Sequence, residues 1–103
     1  MNCAVYSGRI SNDPELRTTK TGDKIVSFEL TVHRPLTRDI YDFIDCVAWN
    51  EKAEFIMRNF KKGSVVEVRG VTTTRTKERN GTSVKYTELR VDEASFGRSV
   101  SRQ

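Results

Sequence analysis

The chain has 103 residues, of which 36% are hydrophobic and 31% charged, and its net charge is +4 with a pI near 9.3. This length allows one domain with its own core and excludes a second domain of similar size. No apolar run approaches the roughly 18 residues of a membrane span, and the first ten residues lack a secretion signal, so we expect a cytoplasmic protein without a membrane partner.

The first half of the chain predicts three strands. The first covers residues 3–10 and ends at the turn-forming segment 11–14, after which a loop continues to Lys24. Residues 26–33 alternate between apolar and polar side chains, which is typical of a half-buried strand. The aromatic and branched residues of segment 41–49 predict a third strand.

The two cysteines, Cys3 and Cys46, stand apart from each other in the first and third of these runs. Their spacing supports neither a disulfide framework nor a CxxC metal site. We therefore predict two buried free thiols.

One amphipathic helix follows the third strand. Asn50 is a favourable N-cap, and Gly63 is the residue expected just beyond the carboxyl end. Apolar residues recur at the spacing i, i+3, i+4 and i+7. This pattern predicts a buried face formed by Ala53, Ile56, Met57 and Phe60.

The last part of the chain predicts a long β-hairpin. A fourth strand covers residues 65–74 and a fifth covers residues 83–91, and Asn80-Gly81 between them is a strong signal for a tight turn. The order β-β-β-α-β-β, all-β with one helix, matches a five-stranded Greek-key barrel of the oligonucleotide-binding (OB) type with an extended hairpin. We place this domain at residues 1–97 and a short C-terminal tail at residues 98–103.

The excess positive charge is confined to the predicted hairpin. Residues 69–90 carry six basic and two acidic side chains, a net charge of +4, so the rest of the chain sums to zero. Such a segment favours a polyanionic partner. The alternative is a solvated ribbon whose charges only prevent aggregation at its edges. The six basic residues are Arg69, Arg75, Lys77, Arg79, Lys85 and Arg90.

Two aromatic residues lie where an OB barrel binds nucleic acid, across its second and third strands between the loop of residues 11–24 and the hairpin tip. Phe43 and Trp49 are six positions apart on the third strand, hence on one face and about 20 Å apart. This spacing suits two separate base-stacking platforms. The alternative is that either ring belongs to the core.

Catalysis finds no support among the residues. His33 is the only histidine, and no Ser/His/Asp or Cys/His set occurs at a useful spacing. Asp39, Asp42 and Asp45 are close in sequence, but strand alternation would point Asp42 away from Asp45. We therefore expect no enzyme activity, no cofactor and no metal site.

Short motifs follow one another in an order and spacing that are specific as a set: Gly8-Arg9-Ile10, Asp13-Pro14-Glu15-Leu16-Arg17, Asp42-Phe43-Ile44, Val47-Ala48-Trp49, Lys62-Gly63-Ser64, Val68-Arg69-Gly70 and Thr87-Glu88-Leu89. They resemble the bacterial-type single-stranded DNA-binding proteins over about residues 1–97. The resemblance implies an OB fold, a homotetramer (dimer of dimers), and coating of single-stranded DNA during replication, recombination and repair without catalysis. It also implies base stacking at Phe43 and Trp49 and DNA contacts at Arg17, Lys62 and Arg75.

The chain departs from the family's pattern in three places. Leu36 and Lys77 stand where many relatives have a stacking aromatic, so we expect binding that depends more on phosphate contacts and is more sensitive to salt. The chain ends at Gln103 without the acidic, hydrophobic tip through which relatives recruit partner enzymes. Recruitment of replication or recombination proteins by that route is therefore not expected, as in short paralogues or phage- and plasmid-borne forms.

The candidate DNA-binding site combines the two rings with basic side chains that contact phosphates. Among the basic residues, Arg9, Arg34 and Lys62 are individually typical of surface charges. The full set is Arg9, Arg17, Lys20, Lys24, Arg34, Phe43, Trp49, Lys62, Arg69, Arg75, Lys77, Arg79 and Lys85.

Two other functions stay open at this point. The barrel could serve as a protein-interaction adaptor in a replication or primosome assembly, with the aromatic residues as interface anchors. RNA binding is a nearer alternative, because stacking and phosphate contacts do not reject the 2′-hydroxyl group. In either case we predict assembly through the first strand.

Overall fold

The computed structural model describes residues 1–97, which form six strands and one helix. The predicted order of elements is confirmed, with one additional short strand and a longer hairpin. The elements are β1 (Ala4–Ile10), β2 (Glu15–Thr18), β3 (Lys24–His33), β4 (Tyr41–Trp49), α1 (Asn50–Asn59), β5 (Val65–Arg79) and β6 (Thr82–Phe96).

The strands close into a barrel. Their order in the sheet is β1-β5-β6-β4-β3-β2, and β1 also pairs with β3 through Arg9 and Ile10, which closes the sheet on itself. Only the pairing of β4 with β6 is parallel among the described strands. This uneven closed sheet, with its single helix between β4 and β5, confirms the predicted OB barrel.

The core lies inside the barrel and is formed by alternate side chains of the strands. Val26, Phe28 and Leu30 of β3 point inward, as their period of two predicts. Burial of each such side chain contributes roughly 1.5–3 kcal/mol to folding. The other buried members are Ile10, Cys46, Ala48, Ala53, Ile56, Phe60, Val66, Val68, Leu89 and Val91.

β2 lies within the segment that we predicted to be a loop. All four of its residues are exposed, so they lack the hydrophobic alternation that indicates a strand. Their backbone pairs with β3 instead, from Glu15 opposite Ser27 to Thr18 opposite Lys24. β2 is therefore stabilised by its pairing with β3, which the pattern of its own side chains does not predict.

The start of α1 also differs from the prediction. Trp49, not Asn50, occupies the N-cap position, and Asn50 has a positive φ of 50°. The Asn50 side chain accepts a hydrogen bond from the Lys24 backbone N–H (3.0 Å) and donates one to Asp23 (3.2 Å). It thus ties the helix to the turn before β3, a contact across 26 residues that local capping rules do not indicate.

Three of the four residues of the predicted apolar face are buried, but the prediction for Met57 is wrong, because its side chain is exposed. Phe55 packs against the core in its place. Its ring makes an edge-to-face contact with Phe60, with 5.8 Å between the centroids. The buried face of α1 is therefore rotated toward Phe55.

The predicted turn at Asn80 and Gly81 is confirmed, because both residues have positive φ (54° and 77°) and Arg79 pairs with Thr82. The two strands of the hairpin are longer than predicted, with 15 residues each. Pairing continues through polar residues beyond the barrel because each strand satisfies the backbone of the other. The hairpin therefore projects its basic side chains away from the core.

The two thiols differ in environment. Cys46 is 2% exposed, and burial, with Asp45 and Glu88 adding to it, raises the pKa of its thiol to about 12. Cys3 is exposed, so the prediction of a buried thiol there is wrong. Cys3 precedes β1, so its side chain is not one of the alternate strand residues that point into the core.

The helix in the described part of the chain is too short and too polar to cross a membrane. Residues 98–103, predicted to be a tail without an acidic tip, lie outside the described residues.

Candidate nucleic-acid interface

The outward face of β3 and β4 carries the two predicted stacking rings. Antiparallel pairing sets Phe43 opposite Thr31 and Trp49 opposite Ile25, so both rings point to the same side of the sheet. Phe43 is 62% exposed, whereas Trp49 is half-buried. The two rings are therefore not equivalent: one is open to solvent and the other is partly covered by the protein.

The surface between the rings is not a continuous apolar strip. Val47, on the same face, is buried, and the next row pairs Asp45 with Glu29. A groove of about 410 Å³ brings these two carboxylates together with Glu15 and Glu88. The centre of the outward face is thus acidic and repels anionic groups, and it separates the two rings.

A second groove connects the Phe43 ring with the hairpin. It has a volume of about 510 Å³, and Phe43, Lys85 and Tyr86 are among the residues that line it. Farther along the hairpin, Lys77 and Arg79 line a cavity of about 350 Å³ with the same Tyr86. Aromatic rings and three cations therefore border one path from the sheet to the hairpin tip, and Asp45 and Glu88 also line its first groove.

Four of the predicted basic residues are already paired with carboxylates of the protein. Three of these four belong to the barrel. Their exposed pairs are individually weak, but a phosphate still has to compete with the carboxylate in each of them. The fourth, Arg75, is paired with an acid whose side chain is only 13% exposed. The pairs are Lys24 with Glu54 (2.6 Å), Arg34 with Asp42 (2.6 Å), Arg69 with Glu93 (2.8 Å) and Asp92 (3.4 Å), and Arg75 with Glu88 (3.4 Å).

Two of these pairs shift the pKa of their acids. The hydrogen bonds that Arg34 donates lower the pKa of Asp42 and raise the pKa of Arg34 itself. The hydrogen bond from Lys24 lowers the pKa of Glu54. Both carboxylates therefore remain ionised at neutral pH and keep their cations neutralised.

The remaining predicted basic side chains have no carboxylate within salt-bridge distance among residues 1–97. Arg17 lies on β2 in the row that continues through Ile25 to Trp49. Arg9 donates a hydrogen bond to the Gly63 carbonyl oxygen (3.2 Å), so it lies near Lys62 at the end of β1. The others are Lys20 in the turn before β3, and Lys77, Arg79 and Lys85 on the hairpin.

Leu36 occupies the loop between β3 and β4, where no aromatic ring is present in this chain. Its side chain is fully exposed and its φ is 66°. The loop is held by the Arg34 N–H, which donates to the Ile40 carbonyl (2.9 Å), and by the Thr37 hydroxyl, which donates to the Arg34 carbonyl (2.6 Å). It therefore presents an aliphatic tip on an ordered loop.

Two further side chains belong to this surface although we did not predict them as site residues. Tyr86 lines three grooves, and the Arg90 guanidinium lies 5.0 Å from the centroid of the Trp49 ring. Tyr86, Glu88 and Arg90 are alternate residues of β6 and therefore lie on the same outward face. This alternation is the pattern in the sequence that could have identified both residues. Their neighbours on β4 depend on the parallel β4–β6 pairing, which the order of elements along the chain does not indicate.

The first part of β1 has an open edge. β1 pairs with β5 from Ala4 to Arg9, but with β3 only at Arg9 and Ile10, so one side of the preceding residues has no strand partner within the described chain. Val5 on this strand is 64% exposed. Such an edge is a template for pairing with another strand.

Comparison with known proteins places this surface in context. Residues 1–97 match the model of the single-strand binding protein family. Over 101 residues, the chain is 38% identical to the single-stranded DNA-binding protein of Halalkalibacterium halodurans, 40% identical to single-stranded DNA-binding protein 3 of Listeria innocua, and 38% identical to single-stranded DNA-binding protein A of Bacillus subtilis. Each match covers 93% of this chain, but only 60%, 63% and 59% of the respective relative.

Proposed function

Since the chain belongs to the single-strand binding protein family, we propose that it binds single-stranded DNA with little sequence preference and protects it during DNA replication, recombination and repair. The bases stack on aromatic rings, and lysine and arginine side chains neutralise phosphates. Neither step needs catalysis or a cofactor.

One observation carries this proposal: the exposed Phe43 ring shares a groove with Tyr86 and Lys85, and Lys77 and Arg79 lie next along the same hairpin. Stacking contributes roughly 1–3 kcal/mol per base and tolerates any base, since every base has a π-face. Cations that have no carboxylate partner are free to replace the counterions of the DNA. Rings and cations on one path are the combination that an unpaired polynucleotide requires.

The test is a titration with oligo-dT at several salt concentrations, followed through the emission of Trp49, the only tryptophan. Four phosphate contacts, at Lys20, Lys77, Arg79 and Lys85, would contribute roughly −2.8 to the slope of log K against log salt. Absence of binding, or binding without salt dependence, would contradict the proposal. Competition with oligo-U of the same length decides between DNA and RNA as the preferred ligand.

We further propose that the protein assembles as a homotetramer in the cytoplasm, with the open edge of β1 as one contact between subunits. Sedimentation velocity at micromolar concentration tests this, and a monomer would contradict it. The Phe43→Ala variant then separates DNA binding from the adaptor function. A variant that stays assembled but binds DNA weakly supports DNA binding, whereas one that dissociates favours an interface role for this ring.

A further inference from the structure

Arg90 lies on β6 with its guanidinium carbon 5.0 Å from the centroid of the Trp49 ring. This distance is within the range of a cation–π contact. The pairing of β4 with β6 sets Arg90 opposite Val47, two residues before Trp49 on the same outward face. A cation therefore covers part of the ring that we propose as a stacking platform.

Arg90 differs from the two other arginines on the barrel-side half of the hairpin. Arg69 is bound to Asp92 and Glu93, and Arg75 to Glu88. Within residues 1–97, Arg90 has no carboxylate in salt-bridge distance and donates no side-chain hydrogen bond. Contact with a ring face leaves the guanidinium N–H donors available, and these donors match the oxygen atoms of a phosphate.

The backbone at Arg90 is held firmly. Its neighbours Leu89 and Val91 are buried in the core. Gly70 lies so close to the Arg90 carbonyl group that a side chain at position 70 would collide with it. Arg90 therefore leaves the sheet at a defined point beside Trp49, and its charge is presented there before any ligand arrives.

We propose that Trp49 and Arg90 form one composite nucleotide site, in which the indole stacks on a base and Arg90 binds the phosphate next to that base. This inference rests on the proposed function. It makes Arg90 a DNA-binding residue on the side of the acidic centre away from Phe43, and it supplies Trp49 with the phosphate contact that the acidic centre of the face cannot provide.

The experiment compares wild type with Arg90→Ala, Arg90→Met and Arg90→Lys, with Arg58→Ala as a matched control on the exposed side of α1. Oligo-dT affinity, its salt dependence and Trp49 emission are measured for each. We expect Arg90→Ala to weaken binding about tenfold and to reduce the salt slope by about 0.7, the value for one phosphate contact on a single strand. Arg58→Ala should change neither quantity.

The methionine and lysine variants separate phosphate binding from packing. Methionine keeps an unbranched stem over Trp49 and Val47 but has no charge, so it should bind as weakly as alanine, while lysine should restore the slope. Methionine at wild-type affinity would overturn the inference, because packing would then explain the effect. An alanine variant that binds as well as wild type, or more tightly, would overturn it too. Failure of wild type to bind any oligo-dT would instead remove the proposed function.

Discussion

The barrel wall and the projecting hairpin use their basic side chains differently. On the barrel, Lys24, Arg34 and Arg69 are each paired with a carboxylate. On the outer part of the hairpin, Lys77 and Arg79 have no such partner among the described residues. The difference shows that net charge along a sequence is not the same as charge available to a ligand. The barrel wall supplies shape and the rings Phe43 and Trp49, and the outer hairpin adds Lys77, Arg79 and Lys85 to cations of the barrel, such as Arg17 and Arg90, that also lack a carboxylate partner among the described residues.

The physical reason lies in the number of neighbouring strands. A side chain on the barrel has strands on both sides, and their acids come within reach: Arg69 of β5 contacts acids of β6, and Lys24 of β3 contacts the helix. Beyond the barrel, each hairpin strand has only the other as a neighbour. Fewer acids can approach, so Lys77, Arg79 and Lys85 remain free, whereas Arg75, nearer the barrel, still reaches Glu88.

The largest effect should come from neutralising the hairpin. A triple variant with Lys77→Ala, Arg79→Ala and Lys85→Ala should bind oligo-dT about a hundredfold more weakly, since each charge-assisted contact contributes about 1 kcal/mol or more. Its salt slope should fall by about 2, because three single-strand phosphate contacts are lost. Fluorescence titration at several salt concentrations measures both quantities.

Arg69→Gln is the matched control for the barrel wall, because this arginine is already bound to two acids. Arg69→Gln should leave the slope of log K against log salt almost unchanged. If this single change reduced the slope as much as the triple variant, the distinction between paired and free cations would fail.

Removal of the exposed ring should have the next largest effect. Phe43→Ala should weaken binding about tenfold, from the loss of one stacked base. Because Phe43 is 62% exposed, the free energy of unfolding should change little, and urea denaturation checks this. Phe96→Ala removes a ring of similar exposure elsewhere on the barrel and should leave DNA affinity intact. Equal losses in both variants would mean that Phe43 is not a specific platform.

A smaller and opposite effect is expected at the acidic centre of the outward face. Glu29→Gln combined with Asp45→Asn should strengthen binding by about 0.5–1 kcal/mol, since two charges that repel phosphate are removed. The gain should shrink at high salt as the repulsion is screened. Glu67→Gln, at an exposed acid on β5, measures the effect of removing one negative charge elsewhere, which is half the change in net charge of the double variant. Weaker binding in the double variant would show that these acids contact the DNA favourably.

The smallest effect concerns the Arg34–Asp42 pair. Because its pKa is lowered in the folded state, Asp42 stabilises the fold above its unfolded pKa of about 3.9, and this contribution is lost as the pH falls through the folded pKa. Wild type should therefore lose more stability than Arg34→Gln as the pH falls below about 4. Urea midpoints over this range measure the difference. Identical pH profiles would indicate that the pair contributes nothing.

Several elements could be predicted from local pattern because their residues carry the information themselves. The alternation of β3, the Asn80-Gly81 turn and the helical spacing of Ala53, Ile56 and Phe60 all express a period or a backbone preference. β2 could not be predicted, because its exposed residues follow no period and it exists only by pairing with β3. The bridging role of Asn50 could not be predicted for the same reason, since its partners lie in a distant turn.

The features of the candidate site fall into the same two groups, those that follow from local pattern and those that depend on contacts between distant segments. The sequence by itself determined the barrel, the outward parity of Phe43 and Trp49, and the concentration of charge on the hairpin, because these follow from spacing along one strand or one ribbon. Only the tertiary structure decided which cations are free, that Arg90 lies against Trp49, and that four carboxylates meet between the rings. Those relations depend on which strands become neighbours when the barrel closes, and electrostatic interactions act between neighbours in space, whatever their distance in sequence.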